Sequence, residues 1–176
     1  VRIGALTNNV PLTITGSASV AGNYTVYASA ITQTAPVTTT NSGNITFTGA
    51  GAFSNAGALN AAGGLYITGA TTLAATGAWT SNAALDVQAS GNISTGSLST
   101  ITVSTGLVKL NSTAGTVTIG AALQAPGPIT LLGGTVTASA NVIATGAGQN
   151  ILFKSRGTIS LADNVTIQTA GGSAAT

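Results

Sequence analysis

The chain has no cysteine, no histidine and no glutamate, and only 3% of its 176 residues are charged. Without cysteine there is neither a disulfide framework nor a thiolate metal site. That suits the cytosol, or a bacterial exoprotein that must stay unlocked until it has crossed a membrane. Asp86 and Asp163 are the only carboxylate side chains. General acid–base catalysis needs a positioned titrating group, and glycosidic cleavage needs two carboxylates at a defined separation. The expectation is therefore a chain that is not an enzyme and has no catalytic, cofactor-binding or metal-binding residues. A calcium-binding nonapeptide roll is excluded on the same count, because it needs an Asp in each Gly-rich turn. The four cations, Arg2, Lys109, Lys154 and Arg156, give a net charge of +2 and a pI near 9.4. They are dispersed along the sequence, whereas nucleic acid binding needs a clustered basic footprint, so no nucleic acid partner is expected. No apolar run approaches the roughly 18 residues of a membrane span, and no membrane insertion is expected. The chain opens on Val1-Arg-Ile-Gly, which does not begin a signal peptide. It reads as a mature product or an excised piece of something longer.

What the sequence has in abundance is repetition. Ile45-Thr-Phe-Thr-Gly49, Leu65-Tyr-Ile-Thr-Gly69 and Leu85-Asp-Val-Gln-Ala89 share a pattern of apolar, polar, apolar, polar, small, at intervals of 20 residues. Extended both ways, the pattern runs from Tyr24 through Ile45, Leu65, Leu85, Val108 and Ile129 to Ile151, at intervals of 20 to 23 residues. Seven coils follow, and Ile3 suggests a partial eighth. A second apolar token recurs at Ile31, Phe53, Leu73, Ile93, Val117, Val136 and Ile159. A third recurs at Val37, Leu59, Trp79, Leu98, Leu123, Val142 and Val165. Three tokens per coil imply three strands and three corners, and a fixed period of this length is the mark of a solenoid. The corners carry Gly, Asn, Ser and Pro, as in Ser42-Gly-Asn44, Ala62-Gly-Gly64, Ser90-Gly-Asn92, Ala125-Pro-Gly-Pro128 and Ala162-Asp-Asn164. These residues supply positive φ or local side-chain hydrogen bonds.

The apolar positions alternate with period two rather than returning at three and four, and Gly and β-branched residues are dense throughout, so almost no helix is expected. Parallel strands normally need long crossovers, and a solenoid avoids them by pairing each strand with its equivalent one lap later. The predicted fold is all-β: a parallel β-helix with three short strands per coil and seven to eight coils of about 21 residues, forming one unit over 1–176. A lone coil cannot bury enough surface to order itself and depends on its neighbours. No amphipathic helix or charged cap is visible at either terminus. The chain is thus read as an interior piece of a longer protein, or as a unit that abuts its own copies.

The coil length, the joins Gly43-Asn-Ile45, Gly91-Asn-Ile93 and Gly157-Thr-Ile159, and the Ala/Gly/Thr/Ser bias without Cys resemble the repeat region of filamentous haemagglutinin-type exoproteins. These are large bacterial adhesins secreted by the two-partner route. The N-terminal secretion domain of that family, with its Asn-Pro-Asn type motifs, has no counterpart here. The resemblance implies a right-handed parallel β-helix serving as a stalk or adhesive fibre, secreted or on the bacterial surface. Its implied partners are flanking coils of the parent chain or identical copies, and a host or neighbouring cell surface. A self-assembling filament subunit and an ice-binding solenoid are the alternatives.

No binding residues are assigned, but several side chains are candidates. Asp86 and Lys109 should point outward on adjacent coils and form an exposed ion pair. Trp79 falls in the third apolar column, which favours burial over sugar stacking. Tyr66 alternates outward between Leu65 and Ile67 and is the better candidate for surface contact. Lys154 and Arg156, with Lys109 nearby, read as solubilising gatekeepers along a strand ladder, with attraction of an anionic surface as the alternative. The outward columns of the first strand read Thr25, Thr46, Tyr66, Asp86, Lys109, Thr130, Leu152 and Tyr27, Thr48, Thr68, Gln88, Asn111, Leu132, Lys154. Thr46, Thr48 and Thr68 begin an ice-matching array that Tyr66, Asp86 and Lys109 interrupt.

Overall fold

The computed structural model describes residues 1–4, 10–96, 100–171 and 174–175. Among them there is no helix, and short strands join into three parallel sheets of nine, eight and eight strands. Consecutive strands of the chain belong to different sheets, and each pairs with its equivalent one lap away. The fold is a parallel β-solenoid of three strands per coil, with about eight turns of about 21 residues. At about 4.8 Å per coil the rod is roughly 38 Å long.

Period-two alternation decides which side chains face the axis. In the first sheet Tyr24, Ile45, Leu65, Leu85, Val108, Ile129 and Ile151 lie over one another. Beside them runs a second column of Val26, Phe47, Ile67, Val87, Leu110, Leu131 and Phe153. Every member of both columns is at most 1% exposed. Like residues therefore meet like residues in unbroken internal stripes. The second sheet continues the core with Ile31, Phe53, Leu73, Ile93, Val117, Val136 and Ile159 in register, as the spacing predicts.

Three predicted positions need correction. Ile3 pairs with Val26 rather than standing over Tyr24. Trp79 is followed in its column by Ile101, not Leu98, and Leu98 lies outside the described residues. Val142 pairs with Ile167, because Val165 is spent in a tight turn where its N–H donates to Ala162 O (3.3 Å) just after Asn164 at φ 65°.

The corners are held by two devices. Asn side chains at the turn–strand joins accept backbone N–H groups of the following coil: Asn23 Oδ1 from Asn44 N (2.9 Å), Asn44 Oδ1 from Gly64 N (2.7 Å), and Asn92 Oδ1 from Thr116 N (2.9 Å). Inward hydroxyls at strand ends do the complementary work. Ser112 Oγ donates to Gly91 O (2.6 Å) and accepts from Gly115 N (2.8 Å). Ser155 Oγ donates to Gly134 O (2.7 Å) and accepts from Gly157 N (3.1 Å). Corner groups that leave the ladder thus keep partners, as buried backbone requires.

Burial pushes the Tyr24 hydroxyl above its ordinary value. A group whose folded-state pKa is raised stabilises fully below its unfolded value and loses that contribution as pH climbs through the folded one. Stability is therefore expected to be retained up to about pH 10 and to decline above it. In Tyr24→Phe the alkaline decline should shrink, as read from denaturation midpoints across pH 9 to 12. An identical decline in the variant would assign it elsewhere.

Candidate functional surfaces

With the interior filled, any chemistry belongs to the outward columns and the corners. On the first sheet the outward order is the predicted one: Thr25, Thr46, Tyr66, Asp86, Lys109, Thr130 and Leu152 are successive ladder neighbours. The parallel column is broken once, by a bulge after Ile67 that separates Thr68 from Gln88. Charges and aromatics concentrate on this face. Arg2 lies over the Tyr27 ring at 4.9 Å, a cation–π contact that ties the first lap to the second.

The register sets Asp86 beside Lys109, yet among the described residues no ion pair joins them. Asp86 instead accepts from Gln88 Nε2, at 3.4 and 3.5 Å to its two oxygens. Tyr66 faces outward but does not project, because its ring fills the space a side chain at Gly64 would take. Trp79 is buried at 1% exposure and donates from Nε1 to Asn55 Oδ1 (2.7 Å). Asn55 in turn donates from Nδ2 to Gly57 O (2.9 Å). The sequence places Asn55 inward by alternation, but alternation does not reveal that the indole four strands on is its partner. One lap earlier in that column Gln33 donates to Ala35 O (2.5 Å), while its Oε1 is buried with no partner among the described residues.

The second sheet presents a different face. One outward column reads Thr13, Thr32, Ser54, Ala74, Ser94, Thr118, Thr137 and Ser160, every neighbour in register. Beside it Thr72 pairs with Ala52, and Thr116 with Thr135. Neither column holds a charged or aromatic residue. The first-strand columns did not expose this surface; the same alternation applied to the second apolar token does.

Lys154 and Arg156 stand on one wall of a cavity of about 320 Å³, at the corner between the first and second sheets. Asn111 and Thr113 stand on the other wall, with Leu132 between. Among the described residues neither cation is ion-paired. Lys109 stands in the neighbouring outward column and does not line this space.

These surfaces belong to a parallel β-solenoid. Comparison of the chain with protein-family models, curated proteins and solved structures finds no match to any of them.

Proposed function

We propose that the protein is a non-enzymatic structural and adhesive stalk segment of a bacterial cell-surface or extracellular fibrous protein, of the filamentous haemagglutinin type secreted by the two-partner route. The observation that carries this reading is the unbroken stack: two fully buried columns run through seven laps of the first sheet without an insertion that interrupts them. A repeat array of this kind is stiff, extends by adding laps, and unfolds only by breaking ladders with neighbours on both sides. The Gly-Asn-Ile joins that carry the family resemblance are also where Asn44 and Asn92 bind the next coil. The partners are then further coils of the same kind, and a host or neighbouring cell surface. Small-angle scattering and negative-stain microscopy of the isolated chain test this. Short rigid rods are expected, whereas long unbranched fibres would make it a filament subunit stacking end to end between copies.

A second reading is favoured by the second sheet alone. Apart from the gap at Ala74, its hydroxyls repeat at about 4.8 Å along the rod and roughly 6.6 Å along the Thr-x-Thr strands at Thr116 and Thr135, and those on Thr sit on β-branched side chains with restricted χ1. Such a surface orders water in two dimensions and would make the protein an ice-binding solenoid. Thermal hysteresis at millimolar concentration would support it, and unimpeded crystal growth would end it.

A further inference from the structure

We propose that the cavity at the corner between the first and second sheets is a binding site for an acidic sugar, a saccharide unit bearing a carboxylate. The inference rests on the adhesive part of the reading above and assigns that adhesion to a place.

Corner lengths create the site. In the lap of Val108–Ser112, three residues (113–115) lead to the strand Thr116–Ile119. In the lap of Ile151–Ser155, three residues (156–158) lead to Ile159–Leu161. Between them, Gly134 alone connects Ile129–Gly133 to Thr135–Ala138. One short corner thus lies between two wide ones, and Gly133 and Gly134 put no side chain into the gap. The space of about 320 Å³ that results suits a small ligand rather than a flat protein contact.

The walls are chemically unlike. Asn111, Leu132 and Lys154 are successive ladder neighbours, which sets the backbones of Asn111 and Lys154 roughly 10 Å apart across two coils. Arg156 extends the cationic wall. Its guanidinium fork fits a carboxylate in bidentate fashion, and Lys154 adds a point charge. The Asn111 amide can donate and accept, and the Thr113 hydroxyl, whose proton goes to Ser90 O at 3.4 Å, can accept from a sugar hydroxyl. Leu132 offers an apolar surface to the C–H face of a ring. No carboxylate lines the cavity, so the two cations have no internal competitor. A nucleic acid would find no aromatic side chain on which to stack a base.

The test uses the whole chain with three probes at fixed ionic strength: trigalacturonate, the uncharged galactotriose, and inorganic sulfate. Titration followed by amide chemical shifts should show saturable binding of trigalacturonate, with perturbations at Asn111, Leu132 and Arg156. Loss of one charge-assisted contact in Arg156→Gln should weaken it by about tenfold, and galactotriose should bind no better than that variant. Lys154→Gln should weaken it less. Both positions are exposed, so the melting curves of the variants should match that of the parent chain. Displacement of trigalacturonate by an equal charge of sulfate, undiminished binding by Arg156→Gln, or no binding would each overturn the proposal. Rods in scattering with no sugar binding would remove the site and leave the stalk, while binding by a chain that forms no rods would do the reverse.

Discussion

Trp79→Ala is expected to remove about 3–5 kcal/mol of stability through the cavity left by a fully buried indole. A further loss of about 1–3 kcal/mol should come from stranding Asn55 Oδ1, which accepts the indole N–H at 2.7 Å. Together these approach the whole stability of a typical domain, about 5–15 kcal/mol. The neighbours in the column make the effect separable. Leu59 and Ile101 occupy the equivalent position one lap either side, so Trp79→Leu should cost less than Trp79→Ala while still leaving the Asn55 acceptor unpaired. The double variant Trp79→Leu with Asn55→Ala should recover part of the difference, because the buried acceptor disappears with its donor. Denaturant midpoints of the three proteins measure this. A loss below about 1 kcal/mol in Trp79→Ala, ordinary for a surface change, would mean that the indole is not enclosed between coils.

Gly77→Ala should be the second severe change, although it adds a single methyl group. A Cβ there would be driven into the carbonyl oxygen of Gly57 in the preceding coil, with Gly57 C at 2.7 Å and Ala56 O at 2.9 Å. The coils cannot separate locally to admit it, because Thr76 N donates to Asn55 O at 2.8 Å immediately alongside. Overpacking of this kind costs about 1–3 kcal/mol and occasionally more. Gly16→Ala is the internal control, since nothing lies within 4 Å of the added carbon; it should be neutral or stabilise by about 0.4–1 kcal/mol through the unfolded chain. If the two substitutions shift the midpoint equally, corner stacking is not what makes Gly77 necessary.

The contrast between these sites shows what a sequence of this type reveals. The first-strand columns were legible because Tyr24 through Ile151 recur at nearly constant intervals with strict alternation, and a single slip in register would turn every core residue outward. The third strand was less legible where corner length varies. In the sequence Leu98 and Ile101 are both apolar and both lie about one lap after Trp79, and only the ladder, with Thr80 paired to Thr102 and Ser81 to Val103, selects Ile101. Val165 failed in the same way, two residues short of Ile167, because the turn at Asn164 absorbs it. The ion pair expected of Asp86 and Lys109 was correct in register, but a nearer amide on Gln88 takes the carboxylate. The uniform second-sheet face was readable in principle from Ile31, Phe53 and their successors. The cavity beside Arg156 was not, since it arises from the difference in corner length among three successive laps rather than from any one residue pattern.

Removal of one complete lap tests the stacking of equivalent laps most directly. Deleting residues 108–128 brings Leu85 over Ile129, Val87 over Leu131, Ile93 over Val136 and Ile101 over Val142, each apolar and each already inward. Scattering should then show a folded rod shortened by about 4.8 Å, with the strand signal in circular dichroism preserved in proportion to length. An unfolded or aggregated product, or a folded one whose length is unchanged, would contradict the account.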